Sequence, residues 1–198
     1  MSQTLIPTLV FIYCSLVVVL YLRIQRFFFT VFLLVSIFSL IIGVVLLRTF
    51  GMYELMQTIE STHTAFWASI LGIPSSIWQN HLLIIETVTK EKIILDIGLE
   101  CSSIFEMTIF SIIVGFCPLW KIEIKVAYIA LGLLYIYIIN ILRILIIVGA
   151  VAHFGGEVLF IMHTVVARLF FFCMVMALYY AMLTRDTILF TRKKVRAH

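Results

Sequence analysis

Long uncharged runs of Leu, Ile, Val and Phe, most of them closed by basic residues, dominate this chain. Leu5 to Leu22 carries no charge and stops at Arg23 and Arg26. Phe27 to Leu47 is again uncharged and stops at Arg48. Ser102 to Leu119 holds a single acid, Glu106, and Val126 to Gly149 a single base, Arg143. His163 to Leu183 carries Arg168 and is followed by Arg185 and the run Arg192-Lys193-Lys194-Val195-Arg196. A helix crosses roughly 30 Å of hydrocarbon with about 20 apolar residues. The pattern therefore predicts five transmembrane helices, over residues 5–22, 27–47, 102–119, 126–149 and 163–183.

One long connection, residues 48–101, separates the second and third spans. Its first half, Gly51 to Leu71, places Met52, Leu55, Met56, Ile59, Phe66, Trp67 and Ile70 at mostly helical spacing, interrupted by Glu54, Glu60 and His63. That spacing predicts a helix lying on the membrane surface, ended by Pro74-Ser75-Ser76. In the second half, the β-rich runs Leu82–Val88 and Ile93–Ile97 flank Thr89-Lys90-Glu91 and predict a short hairpin. The charges Glu86, Lys90, Glu91 and Lys92 exclude a sixth span there.

Composition agrees with a membrane protein. The 198 residues are 64% hydrophobic and 12% charged, with a mean hydropathy of +1.20. An ordinary soluble domain is about a quarter charged, so this chain lacks the polar residues to cover a water-facing surface. Disordered chains are charge-rich as well. The net charge of +4 comes from scattered bases, which speaks against a nucleic-acid partner. Those bases orient the spans. Of the 14 Lys and Arg residues, nine (Arg23, Arg26, Lys121, Lys125, Arg185, Arg192, Lys193, Lys194 and Arg196) fall on one side, and Arg48, Lys90 and Lys92 on the other. The positive-inside rule places the nine in the cytoplasm, the N-terminus and the 48–101 insertion outside, and the C-terminus inside. Met1 to Val10 has no basic residue ahead of the apolar run, so a cleaved signal peptide is not expected. The fold class is an all-α polytopic membrane protein, one integral domain in the lipid bilayer, with an extracellular insertion of a surface helix and a short β-hairpin.

Four cysteines are present. Cys14, Cys117 and Cys173 fall within spans, where a free thiol behaves as a small hydrophobe. Cys101 stands at the junction of the insertion and the third span, in Gly98-Leu99-Glu100-Cys101-Ser102-Ser103, at a depth that gives it no disulfide partner. A thiol at the water edge can ionise and act as a nucleophile. A cysteine nucleophile also needs a base and a group to hold the developing oxyanion. Arg143, roughly 9 Å below the outer end of its span, carries a charge whose insertion costs a few kcal/mol, the mark of a functional position. Asn140 lies one turn below on the same face, placed to orient the guanidinium. His163 opens the last span, so Cys101, Arg143 and His163 converge on the outer leaflet from three spans. Glu106 and Arg168 lie at similar depths, roughly 7 Å below the outer surface. Glu106 pairs either with Arg168 or with Arg143. Neither two histidines nor two acids share a span at metal-ligand spacing, so no metal or other cofactor is expected.

These residues, in this order, resemble the exosortase/archaeosortase family of membrane cysteine transpeptidases. The matching pieces are Glu100-Cys101-Ser102-Ser103, Asn140-Ile141-Leu142-Arg143-Ile144, Gly149-Ala150-Val151-Ala152-His153-Phe154-Gly155 and His163-Thr164, over roughly Asp96 to Leu183. Ser103 and Ala167 stand where the commonest family form has glycine, which, with the short chain, is similar to the compact exosortases of Gram-positive bacteria. The resemblance implies Cys101 as nucleophile, His163 as acid/base and Arg143 as stabiliser of the tetrahedral intermediate. It implies an enzyme of the bacterial cytoplasmic membrane with its active site facing outside. Its substrates would be exported proteins bearing a C-terminal motif, a membrane helix and a basic tail, released by water or by an amine acceptor. The rival expectation is a non-enzymatic membrane subunit of an export or polysaccharide-assembly system, in which Cys101 tolerates Ser or Ala.

Overall fold

The computed structural model describes residues 28–79, 81–98, 101–117 and 120–196, with side chains described over 31–78, 81–98, 101–117 and 120–182. The span expected over 5–22 lies outside the described residues. The protein is mostly helical, and among the described residues three helical segments are long and apolar enough to cross a membrane: Val31–Thr49, Ile122–Phe154 and Gly156–Met182.

The chain divides into two compact units. The first comprises residues up to Tyr53 together with Ile104–Leu133. It contains helix α1 (Phe28–Thr49), helix α3 (Ile104–Phe116) and the start of helix α4 (Ile122–Phe154). Helix α1 approaches α3 closely at Gly43, where a Cβ would stand 3.2 Å from Thr108 Cγ2. The ring of Phe110 lies over Gly132, in space a side chain there would fill. The helix expected over 102–119 is shorter than the apolar run implied. Helix α3 has 13 residues, about 20 Å at 1.5 Å per residue. Pro118 follows, and the residue before a proline is pushed out of the helical region. Lys125 Nζ donates to Gly115 O at 2.7 Å and so satisfies a carbonyl at the end of α3.

The second unit comprises Glu54–Ser103 and Leu134–His198. Helix α2 (Met52–Ile70) enters it, followed by strands β1 (Ser75–Gln79), β2 (Leu82–Glu86) and β3 (Lys92–Asp96) in one antiparallel sheet of order β1-β2-β3. Strand β1 was not expected from Pro74-Ser75-Ser76; its pairing with β2, Ser75 opposite Ile85, overrides the weak strand preference of serine. The β2–β3 turn closes with Lys90 N–H donating to Thr87 O at 2.8 Å and Glu91 N–H to Thr87 Oγ1 at 3.1 Å. Alternation turns Leu83, Ile85, Leu95 and Ile97 to one face. They join Ile144, Ile147, Val148 and Val151, at helical spacing on α4, in the core of this unit.

Helix α4 runs for 33 residues, about 50 Å, well past the expected 126–149. Gly155 ends it with φ +82° and ψ −176°, a conformation essentially reserved for glycine. The last span also starts earlier than residue 163. A 3-10 turn (Gly156–Val158), one α-turn (Leu159–Ile161) and a π-helical turn (Met162–Val166) precede helix α5 (Ala167–Arg196).

Helix α2 forms over the residues where a helix was expected, and its burial pattern was not expected. Its inward face is polar: Gln57, Glu60, Ser61, Thr64 and the small Ala68 are buried. Met52, Leu55, Ile59, Phe66, Trp67 and Ile70 point outward. Glu54, Thr62 and His63 are exposed beside them, so the outer side is mixed while the buried side is polar, and buried polar groups must find partners within the protein.

Candidate active site

The turn after β3 presents Cys101. Gly98 O accepts hydrogen bonds from Cys101 N–H at 3.0 Å and Ser102 N–H at 3.1 Å. Cys101 Sγ lies 2.8 Å from His163 Nε2. His163 sits within the π-helical turn, two turns into the last span rather than at its beginning. Such turns insert an extra residue and occur frequently at functional positions. His163 and Arg143, buried on α4, both reach the sulfur: the Arg143 guanidinium hydrogen-bonds the thiol and adds its charge, and Arg168 acts on it electrostatically. The Arg143 guanidinium carbon is 4.7 Å from the centroid of the buried Phe171 ring, a cation–π contact. Arg143 lies about three turns before the end of α4, because that helix continues to Phe154.

Cys101 is 4% exposed, not at the water edge as its position before the span implied. Burial pushes its thiol above the usual range; Arg143 offsets part of that, Arg168 less, and Asp96 opposes them. Burial thus disfavours the thiolate, and the imidazole stands in contact with the sulfur.

Asn140 does not hold Arg143. Its Nδ2 donates to Cys101 O and to Glu60 Oε1, each at 2.9 Å, and its Oδ1 accepts no hydrogen bond among the described residues. Two oxygen acceptors on one side fix which end of the amide is nitrogen. Glu60, which interrupts the apolar stripe of its helix, joins this site without any mark in the hydropathy pattern. Its Oε1 also accepts Ser103 N–H at 3.1 Å and Ser103 Oγ–H at 2.5 Å. Burial pushes its carboxyl above the ordinary range, and these hydrogen bonds offset only part of the rise. The helical recurrence of Gln57, Glu60, Ser61 and Thr64 was its available signal. Glu106 occupies the first turn of α3 in the first unit, whereas Arg143 and Arg168 belong to the second. His153 lies at the C-terminal end of α4, exposed, with its ring against Phe154.

A thiol in contact with an imidazole and a guanidinium has the groups that nucleophilic attack on a carbonyl requires. The family model described as transmembrane exosortase (Exosortase_EpsH) matches residues 1–181, and the chain belongs to that family. No curated protein and no solved structure matches the chain significantly.

Proposed function

We propose that the protein is a membrane-embedded cysteine transpeptidase or protease that cleaves C-terminal sorting signals of exported proteins at the outer face of the bacterial cytoplasmic membrane. The observation that carries this reading is the 2.8 Å contact of Cys101 Sγ with His163 Nε2, with Arg143 on the same sulfur, in a chain of the exosortase family. Because burial disfavours the thiolate, His163 Nε2 takes the thiol proton as Sγ attacks the scissile carbonyl carbon. The carbonyl electron pair moves onto oxygen, where the Arg143 guanidinium stabilises it. Collapse breaks the C–N bond, and the leaving amine takes the proton from His163. The thioester left on Cys101 is attacked by water or an amine acceptor, His163 again serving as base, and the thiol is regenerated.

Five spans with the N-terminus outside and the C-terminus inside give the site access to exported substrates, a reading supported by the bias of basic residues. A C-terminal reporter active only outside the cell would contradict it. The catalytic reading is tested with Cys101→Ala, Arg143→Ala and His163→Ala, each co-expressed with a substrate carrying a motif, a membrane helix and a basic tail. Each nearly abolishes loss of the substrate's C-terminal helix, and double variants add little, because residues acting as a unit are non-additive. Arg143→Lys also fails, since ammonium lacks the planar fork, whereas His153→Ala retains activity. Normal processing by Cys101→Ala would favour the non-enzymatic membrane subunit instead.

A further inference from the structure

Glu60 has no part in the proton transfers above, yet its carboxyl is wholly buried beside the segment that carries Cys101. A buried carboxyl is costly unless hydrogen bonds satisfy it. Here one oxygen, Oε1, gathers three donors: Ser103 N–H at 3.1 Å, Ser103 Oγ–H at 2.5 Å and Asn140 Nδ2–H at 2.9 Å. The second Asn140 Nδ2 hydrogen goes to Cys101 O at 2.9 Å. Helix α2, the Cys101–Ser103 turn and α4 are thereby bonded through a single acceptor. The turn is held at both ends, by Gly98 O at Cys101 N and Ser102 N, and by Glu60 at Ser103. None of the bonds uses the Cys101 sulfur or the His163 ring, so the carboxyl touches the support of the nucleophile and not the reacting atoms. Gln57, one turn earlier on the same buried face, donates from Nε2 to Ile97 O, a second tether from α2 to the chain entering this turn.

We propose that Glu60 is a positioning residue: its Oε1 fixes the Cys101–Ser103 turn, directly through Ser103 and through Asn140 at the Cys101 carbonyl, so that the thiol meets His163. The role attributed to the thiol rests on the proposed cysteine chemistry, but the geometry it predicts is measurable without a substrate. What the site requires of residue 60 is an acceptor at the Oε1 position, not a negative charge. A carboxamide supplies that acceptor, a thioether of similar size does not, and an aspartate draws it back by about one methylene.

The test compares Glu60→Gln, Glu60→Met and Glu60→Asp in the full-length protein in detergent, reading the rate of Cys101 alkylation by iodoacetamide against pH. Cys14, Cys117 and Cys173 are replaced by Ala, with Cys101→Ala added to that background as the blank. Among the described residues, the charged or titratable groups acting on the thiol are His163, Arg143, Arg168 and Asp96, and Tyr137, bonded to His63, lies in the field of Glu60. Glu60→Gln keeps the wild-type rate and pH profile. Glu60→Met slows alkylation at neutral pH by about ten- to a hundredfold, the scale for displacements of about 1 Å, and its profile merges with that of His163→Ala; Glu60→Asp does the same. A wild-type profile in Glu60→Met would overturn the proposal, and so would loss in Glu60→Gln equal to that in Glu60→Met. Should Glu60→Met not reach the membrane, Glu60→Asp decides on the same criterion. Substrate processing is scored separately: normal processing by Cys101→Ala would remove the enzymatic reading, while the alkylation profiles would still judge Glu60.

Discussion

Removing one residue from the π-helical turn separates the register of His163 from its chemistry. The turn spans Met162–Val166, and Val165 within it is 54% exposed, so its side chain packs little. A π turn holds one residue more than an α turn. Deleting Val165 lets the segment close as an ordinary helix and slips the residues before it against α5 by one step. That step is about 100° and 1.5 Å along the axis, about 3.8 Å at Cα, and more at the ring. The Sγ···Nε2 contact of 2.8 Å does not survive such a displacement. Since a positioned base contributes roughly 10²- to 10⁴-fold, the deletion is expected to slow processing by that factor and to match His163→Ala. The assay is the initial rate at which a co-expressed substrate loses a tag placed after its C-terminal helix, normalised to membrane level. Val165→Ala keeps the register and stays close to wild type. A deletion variant that processes at the wild-type rate would refute the claim that this turn sets the histidine.

Phe171→Leu removes the ring beneath Arg143 while keeping an apolar residue. The lost cation–π contact is worth about 0.5–2 kcal/mol, so processing falls by roughly two- to thirtyfold, measured with the same substrate; an unchanged rate would count against that contact. Gly132→Ala places a Cβ 2.1 Å from Phe110 Cε1 and 2.2 Å from Cζ. Overpacking of this kind costs about 1–3 kcal/mol, read as a lower unfolding midpoint in detergent, and Gly132→Ala lowers the midpoint less when introduced into Phe110→Ala than into wild type. Burial raises the carboxyl of Glu60, so its protonated form favours the fold. That stabilisation is complete below the ordinary carboxylate value of 4.5 and is lost as pH rises through the raised value. Unfolding midpoints measured from pH 4 upward, flanking the reference value of 4.5, therefore fall more steeply in wild type than in Glu60→Gln, and equal slopes would contradict the assignment.

Charges inside apolar runs were legible because hydrocarbon makes them costly, and Arg143 and Arg168 stood out for that reason. Cys101 and His163 were legible through their places beside the spans and the order of their motifs. The thiol's surroundings were not, since hydropathy reports a residue's distance along the chain from a span and not what covers it. The ends of α4 escaped for a related reason: an apolar window marks what fits in a bilayer, whereas the helix continues through Ile122 at one end and to Phe154 at the other. The spacing of Gln57, Glu60, Ser61 and Thr64 was visible, but its direction was not. In water a helix usually buries its apolar stripe, and here Gln57, Glu60, Ser61 and Thr64 are the buried ones. No residue preference marks the π turn around His163, and β1 depends on its neighbour β2 rather than on Ser75 or Ser76.

The central claim is that Cys101 Sγ bonds to the scissile carbonyl carbon of a sorting signal. Its most direct measurement is mass spectrometry of the Cys101 peptide, acid-quenched during turnover of a co-expressed substrate. The expected result is an adduct on Cys101 with the mass of the substrate's N-terminal fragment, removed by hydroxylamine as a thioester and missing from Cys101→Ala. A substrate that loses its C-terminal helix at the wild-type rate in Cys101→Ala, with no adduct on the wild-type cysteine, would contradict the account.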